Sequence, residues 1–208
     1  MNTPQGSGVS NEFYFCNETN HISGKQCAKI PSWMKTRQSL NNRIVGGEDA
    51  PDPIPWQVHV DRGCGGTILD ETTILSAAHC FPFFRPNADY IEAGIKVRAS
   101  LDAQKIFVKE TIKHPRYNPR NYDNDIAILK LKSPLTFNEN VQPACLPHPS
   151  FRPENTGEIA VISGWGDIFD GKGYAQIVLF VQGLDRSIAS RIESVFAEYA
   201  QIVISAAC

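Results

Sequence analysis

Between Pro55 and Leu131 the chain is cut into short apolar runs bounded by turn-forming or polar residues, and this pattern constrains the fold most. Pro55-Trp56-Gln57-Val58-His59-Val60 alternates as a half-buried strand does. Gly65-Gly66-Thr67-Ile68-Leu69 and Thr72-Thr73-Ile74-Leu75 are β-branched runs on either side of an Asp70-Glu71 turn. Ile106-Phe107-Val108, Ile126-Ala127-Ile128-Leu129-Lys130-Leu131 and, further on, Ile159-Ala160-Val161-Ile162 continue the series. Many short strands at close spacing predict an all-β barrel or sandwich. The 208 residues suffice for one all-β domain of roughly 200–250 residues or for two small ones.

The end of the chain reads differently. Ile188, Ile192, Val195, Phe196, Tyr199, Ile202 and Val203 fall on one stripe at ~100° per residue, with Glu193, Glu198 and Gln201 outside it. The spacing predicts an amphipathic helix over 187–203, with Asp185 or Ser187 as its cap.

Composition excludes several classes. Apolar residues make up 42% and charged residues 20%, which argues against disorder. The net charge of −2 lacks the basic excess of a nucleic-acid binder. The longest apolar run, Ile177-Val178-Leu179-Phe180-Val181, falls far short of the ~18 residues of a membrane span. Charge divides the chain at Arg43 and Gly166. Residues 1–43 carry 5 basic and 2 acidic side chains, show no sustained period, and read as an exposed segment pinned by its cysteines.

The six cysteines, Cys16, Cys27, Cys64, Cys80, Cys145 and Cys208, are widely and irregularly spaced, as disulfides in an oxidising compartment are. No C-x-x-C pair suggests a zinc ribbon or a thioredoxin-like site, and no metal cluster or cofactor motif is visible. Asn17-Glu18-Thr19 is a glycosylation sequon, which also requires the secretory route. Met1 to Ser10 nevertheless shows neither a basic start nor an apolar core, so no signal peptide is visible. The expectation is a secreted or extracellular protein.

Three stretches carry chemistry. Leu75-Ser76-Ala77-Ala78-His79-Cys80 offers an imidazole beside a cysteine, with Cys64 lying 16 positions earlier. Asp123-Asn124-Asp125 leads into an apolar run, where a carboxylate either starts a strand or orients a histidine. Asn42-Arg43-Ile44-Val45-Gly46-Gly47 joins a basic residue to a flexible apolar segment, as a cleavable junction or a loop entering a strand.

Together these residues resemble the trypsin/chymotrypsin family of serine endopeptidases. Arg43-Ile44-Val45-Gly46-Gly47 looks like the zymogen activation site, cleaved between Arg43 and Ile44. Pro55-Trp56-Gln57-Val58 looks like the first core strand. Cys64-Gly65-Gly66-Thr67-Ile68-Leu69 with Ala77-Ala78-His79-Cys80 looks like the histidine region. His114-Pro115-Arg116-Tyr117-Asn118 and Asp123-Asn124-Asp125-Ile126-Ala127-Ile128-Leu129 look like the region ending in the triad aspartate, which falls on Asp125. Cys145-Leu146-Pro147 and Ser163-Gly164-Trp165-Gly166 look like the next two markers.

The resemblance implies a double antiparallel β-barrel, with His79 and Asp125 as catalytic residues from the first barrel. It implies a Cys64–Cys80 bridge and a bond from a propeptide cysteine to Cys145, with Cys27 the better-placed partner and Cys16 the alternative. The implied organisation is a propeptide or interdomain segment at 1–43, a protease domain at 44–166 and a divergent tail at 167–208. Protein or peptide substrates and inhibitors are the implied partners.

The chain also departs from the family. A Gly-Asp-Ser-Gly-Gly stretch, which would supply the nucleophile and the backbone of the oxyanion hole, is missing from the sequence. Val181-Gln182-Gly183-Leu184-Asp185-Arg186-Ser187 shares a few letters with it but lacks the flanking glycines, and Ser187 reads as a helix start. Ala160 stands where many members carry a cysteine, and Cys16 and Cys208 are left without assigned partners. The second barrel is therefore expected to be incomplete. The expectation is a catalytically inactive member of a peptide-hydrolysing family, with a non-enzymatic protease-like binding module as the alternative.

Overall fold

The computed structural model describes residues 27–28, 31–35, 48–61, 63–146, 159–165, 177–182 and 203–206. In chain order the elements are α1 (Ser32–Lys35), β1 (Glu48–Asp49), β2 (Gln57–Val60), β3 (Cys64–Asp70), β4 (Thr73–Ser76), β5 (Tyr90–Ala93), β6 (Gln104–Lys113), β7 (Ala127–Leu131), β8 (Ile159–Gly164), β9 (Ile177–Gln182) and β10 (Val203–Ala206).

Six of the strands close a barrel in the ring order β2-β3-β4-β7-β6-β5, every neighbouring pair antiparallel. Alternation along each strand sends one apolar set inward. Val58 pairs with Ala93, Val60 with Ile91, Ile68 with Ile74, and Ile74 in turn with Leu129. Val58, Val60, Ile68, Ile74, Ile91 and Leu129 are fully buried, each adding roughly 1.5–3 kcal/mol of hydrophobic stabilisation. Gly66 leaves room for this core: a Cβ there would lie 2.7 Å from Ile74 Cγ2 and 3.0 Å from Val58 Cγ2. Irregularities between Ile68 and Asp70 and between Val108 and Glu110 bend the ring. Closure leaves no unpaired edge in it.

The remaining strands form a second antiparallel sheet in the order β1-β9-β8-β10. Among the described residues this sheet is open, with four strands. The expected helix over 187–203 lies outside the described residues except for Val203, and there it is corrected. Val203 opens a strand that pairs with β8 from Val203–Ser163 to Ala206–Ala160. The β-branched Val203 and Ile204 suit a pleated surface, and the edge of β8 supplies hydrogen-bond partners that no helix needs.

Strand β2 is buried on both faces, not on one as its alternation suggests. Gln57 and His59 point away from the barrel interior yet are nearly inaccessible, because the second sheet covers them. Gln57 Nε2 donates to the Ser163 carbonyl at 2.9 Å, and the Trp165 ring meets His59 edge-on with centroids 5.7 Å apart.

The leading segment also departs from the expectation of exposure. Cys27 and Ala28 are buried, and Cys27 is disulfide-bonded to Cys145 across a sequence separation of 118. The Ala28 N–H donates to the Pro143 carbonyl at 2.8 Å. Ala28 joins Ala50, Ile54 and Trp56 in a satellite core against which Trp33 and Ala144 pack. Apolar contact and backbone pairing therefore hold this segment in addition to its cysteine.

Candidate active site

Strand β4 delivers the histidine. Ser76 Oγ, at its end, donates to the Gly65 carbonyl at 2.9 Å, and Ala77 continues extended into a tight 3-10 turn at Ala78–Cys80. Ala78, Cys80 and Phe81 are buried in the barrel core while His79 is exposed between them. Lys113 Nζ donates to the Phe81 carbonyl at 2.9 Å, tying the turn to β6. The imidazole is thus presented to solvent from a backbone anchored on both sides.

The aspartate arrives on the loop that enters β7. Asn118 and Asp123 form an isolated bridge; Tyr122, just inside it, and Asn124, just beyond it, both adopt φ of 57°. Asparagine tolerates this left-handed region, whereas a tyrosine there costs on the order of 1–3 kcal/mol. Side-chain amides hold the loop: Asn124 Nδ2 donates to the Arg116 carbonyl, and Asn121 Oδ1 accepts from the Asp123 N–H.

The two side chains meet closely. Asp125 Oδ1 accepts from the His79 backbone N–H at 2.8 Å, and Oδ2 lies 2.5 Å from His79 Nδ1. One carboxylate therefore fixes both the peptide and the ring of the histidine. A proton on Nδ1 leaves Nε2 as the basic nitrogen and gives any imidazolium formed a charge-assisted partner. The Tyr122 ring stands perpendicular to the imidazole, centroids 5.8 Å apart. Tyr117, also beside this carboxylate, has its hydroxyl pushed up to about 12, first by desolvation and then by the Asp125 charge. It stays protonated at neutral pH.

Cys64 and Cys80, whose bridge the resemblance implies, lie side by side in this structure. Both residues are free thiols, with the Cys64 side chain hydrogen-bonded to Cys80. Burial, reinforced by that hydrogen bond, drives the Cys80 thiol far above its ordinary range. Asn17, Arg43, Ile44, Cys16, Ser187 and Cys208 lie outside the described residues.

Sequence reasoning missed a second ionisable pair. His59 Nδ1 lies 3.2 Å from Glu92 Oε2, with both side chains buried on β2 and β5. Burial pulls the His59 pKa below its ordinary value despite the Glu92 charge, and its Nε2 is buried with no hydrogen-bond partner. The only sequence signal was a histidine on the polar side of an alternating strand. Among the described residues no three metal-ligating side chains cluster, and no helix is long and apolar enough to cross a membrane.

A closed antiparallel barrel beside a second antiparallel sheet, with a histidine and an aspartate joined at the barrel's strand ends, defines an all-β protein of the serine-protease class. The chain belongs to the trypsin family, whose model, described as Trypsin, matches residues 44–196. It is 37% identical over 161 residues to transmembrane protease serine 9 of Rattus norvegicus, covering 73% of this chain and 14% of that protein. It is 30% identical over 156 residues to serine protease filzig of Drosophila melanogaster, covering 68% of this chain and 9% of that protein. It is 40% identical over 148 residues to ovochymase of Halocynthia roretzi, covering 63% of this chain and 9% of that protein. The chain thus spans 14% or less of the length of these relatives.

Proposed function

We propose that this chain carries the histidine–aspartate half of a serine endopeptidase site and does not itself hydrolyse peptide bonds. The observation that carries the reading is the doubly hydrogen-bonded His79–Asp125 pair in a sequence with no Gly-Asp-Ser-Gly-Gly stretch. In a complete site His79 Nε2 takes the proton of a serine hydroxyl as it attacks the scissile carbonyl, and Asp125 orients the ring and stabilises its charge. Without a nucleophile, an oxyanion hole and a specificity pocket, His79 has nothing to activate and no means of holding the tetrahedral intermediate.

In the same reading, residues 1–43 are a propeptide or interdomain segment, residues 44–166 the protease domain and residues 167–208 a divergent tail. Cleavage between Arg43 and Ile44 leaves the leading segment attached through Cys27–Cys145, a bond present in the structure. Cys64 and Cys80 bridge once the protein enters an oxidising compartment, and Asn17 is glycosylated on a secretory route. The partners of the family fold are protein or peptide substrates and inhibitors.

The test is labelling of purified chain, cleaved at Arg43, with a serine-directed fluorophosphonate. No labelling and no turnover of peptide substrates are expected. Labelling that the His79→Ala substitution abolishes overturns the reading.

A further inference from the structure

Away from His79, the outer face of β5 and β6 carries a row of aromatic rings and ammonium groups. The register sets Tyr90 opposite Phe107 and Glu92 opposite Lys105, so all four share one face of the barrel. Glu92 is buried, with its carboxylate turned onto His59. Lys105 therefore lacks a cross-strand ion pair, and its Nζ instead stands 3.6 Å from the centre of the Tyr90 ring. Tyr90 and Phe107 meet edge to face at 6.5 Å, and Lys132 Nζ lies 5.7 Å over the Phe107 ring. Lys109, two positions beyond Phe107 on β6, is exposed as well.

Among the described residues none of Lys105, Lys109 and Lys132 has an ion-pair partner. Glu110, next to Lys109, stands opposite Lys130 in the β6–β7 register without an ion pair to it, and Lys130 Nζ donates to Thr73 Oγ1 instead. Phe107 is 55% exposed in the middle of this strip. An exposed Phe107 ring beside the half-buried Tyr90, flanked by unneutralised cations, complements a ligand that is both anionic and apolar.

We infer that this strip docks an acidic polypeptide segment with apolar side chains set among its carboxylates. The lysines meet the carboxylates while Phe107 and Tyr90 receive the apolar groups. A sulfated polysaccharide would satisfy the lysines but offers no apolar side chain to Phe107, so the rings favour the peptide. The surface shares no residue with the His79–Asp125 site, and docking there does not depend on the catalytic reading.

The experiment is fluorescence anisotropy with the full chain and a short labelled peptide alternating Asp and Glu with Phe and Ile. A neutral peptide of equal length and a heparin oligosaccharide serve as comparisons. Saturable binding of the acidic peptide is expected, weakening with added salt. Lys105→Glu with Lys132→Glu is expected to weaken it by about tenfold or more, and Phe107→Ser by about threefold or more. If the charge-reversed chain does not fold, as judged by circular dichroism, Lys105→Gln with Lys132→Gln replaces it and a smaller loss is expected. Binding no tighter than that of the neutral peptide, or unchanged in the variants, overturns the inference. So does heparin binding that the lysine substitutions abolish and Phe107→Ser leaves intact, with no peptide binding, because it assigns the strip to a polysaccharide.

Discussion

Glu92 reaches across from β5 to place a carboxylate oxygen 3.2 Å from Nδ1 of His59, and both side chains are buried. The pair lies between two layers, with Trp165 against the imidazole and Asp61 and Arg98 as further charges acting on it. Burial outweighs the attraction of Glu92, so the folded protein prefers neutral His59.

That preference gives a pH dependence with a definite sign. The unfolded chain, with His59 near its ordinary value of 6.5, binds the proton more readily than the folded chain. Stability is therefore expected to fall as pH drops below about 6.5 and to be retained above it. Urea denaturation at neutral and mildly acidic pH checks this. His59→Gln is expected to flatten the profile, and an unflattened profile refutes the assignment.

At Gly66 the barrel wall admits no side chain, since a Cβ would also stand 3.1 Å from the Leu75 carbonyl. Gly66→Ala is expected to destabilise the fold by about 1–3 kcal/mol through overpacking. Chemical denaturation measures it, and a neutral or stabilising outcome contradicts the close packing described.

The 3-10 turn holds its place through Phe81, 1% exposed within the core. Phe81→Ala is expected to cost about 3–5 kcal/mol. It is also expected to loosen the His79–Asp125 contact. The downfield Nδ1–H proton resonance of His79 reports that contact and should broaden in Phe81→Ala and disappear in Asp125→Ala.

Oxidation of Cys64 and Cys80 closes a short loop, and the bridge is expected to add about 3 kcal/mol of stability. Refolding in a glutathione redox buffer, followed by alkylation and peptide mapping, reads the state of the pair. Persistent free thiols, or a bridge without a rise in the unfolding midpoint, count against the expectation.

The strands of the barrel were legible where their period and composition agreed. β3, β4 and β7 carry β-branched runs between turn residues, and their register follows from which side of the pleat those residues occupy. β5 escaped notice because Tyr90-Ile91-Glu92-Ala93 is short and contains a glutamate, whose burial depends on His59 from another strand. The double burial of β2 was invisible for a related reason: what covers Gln57 and His59 comes from Ser163 and Trp165, about a hundred positions away. At Val203, helical spacing and strand composition coincide, and pairing with β8 decides between them. Of the site, the residue types and their order were readable. The two hydrogen bonds from one carboxylate and the perpendicular Tyr122 ring arise only from tertiary placement.

The ring order of the barrel bears on how the protein is made. All six ring strands lie between Gln57 and Leu131, so a chain emerging from the ribosome holds every strand needed for closure once Leu131 is clear. The second sheet takes β1 from before the barrel and β8, β9 and β10 from after it, so it cannot be completed until β10 has been made. Until then the polar outer side of β2 stands in water, where Gln57 and His59 are at ease. The side chains buried beneath the second sheet in the finished fold are thus polar ones, suited to water before that sheet forms.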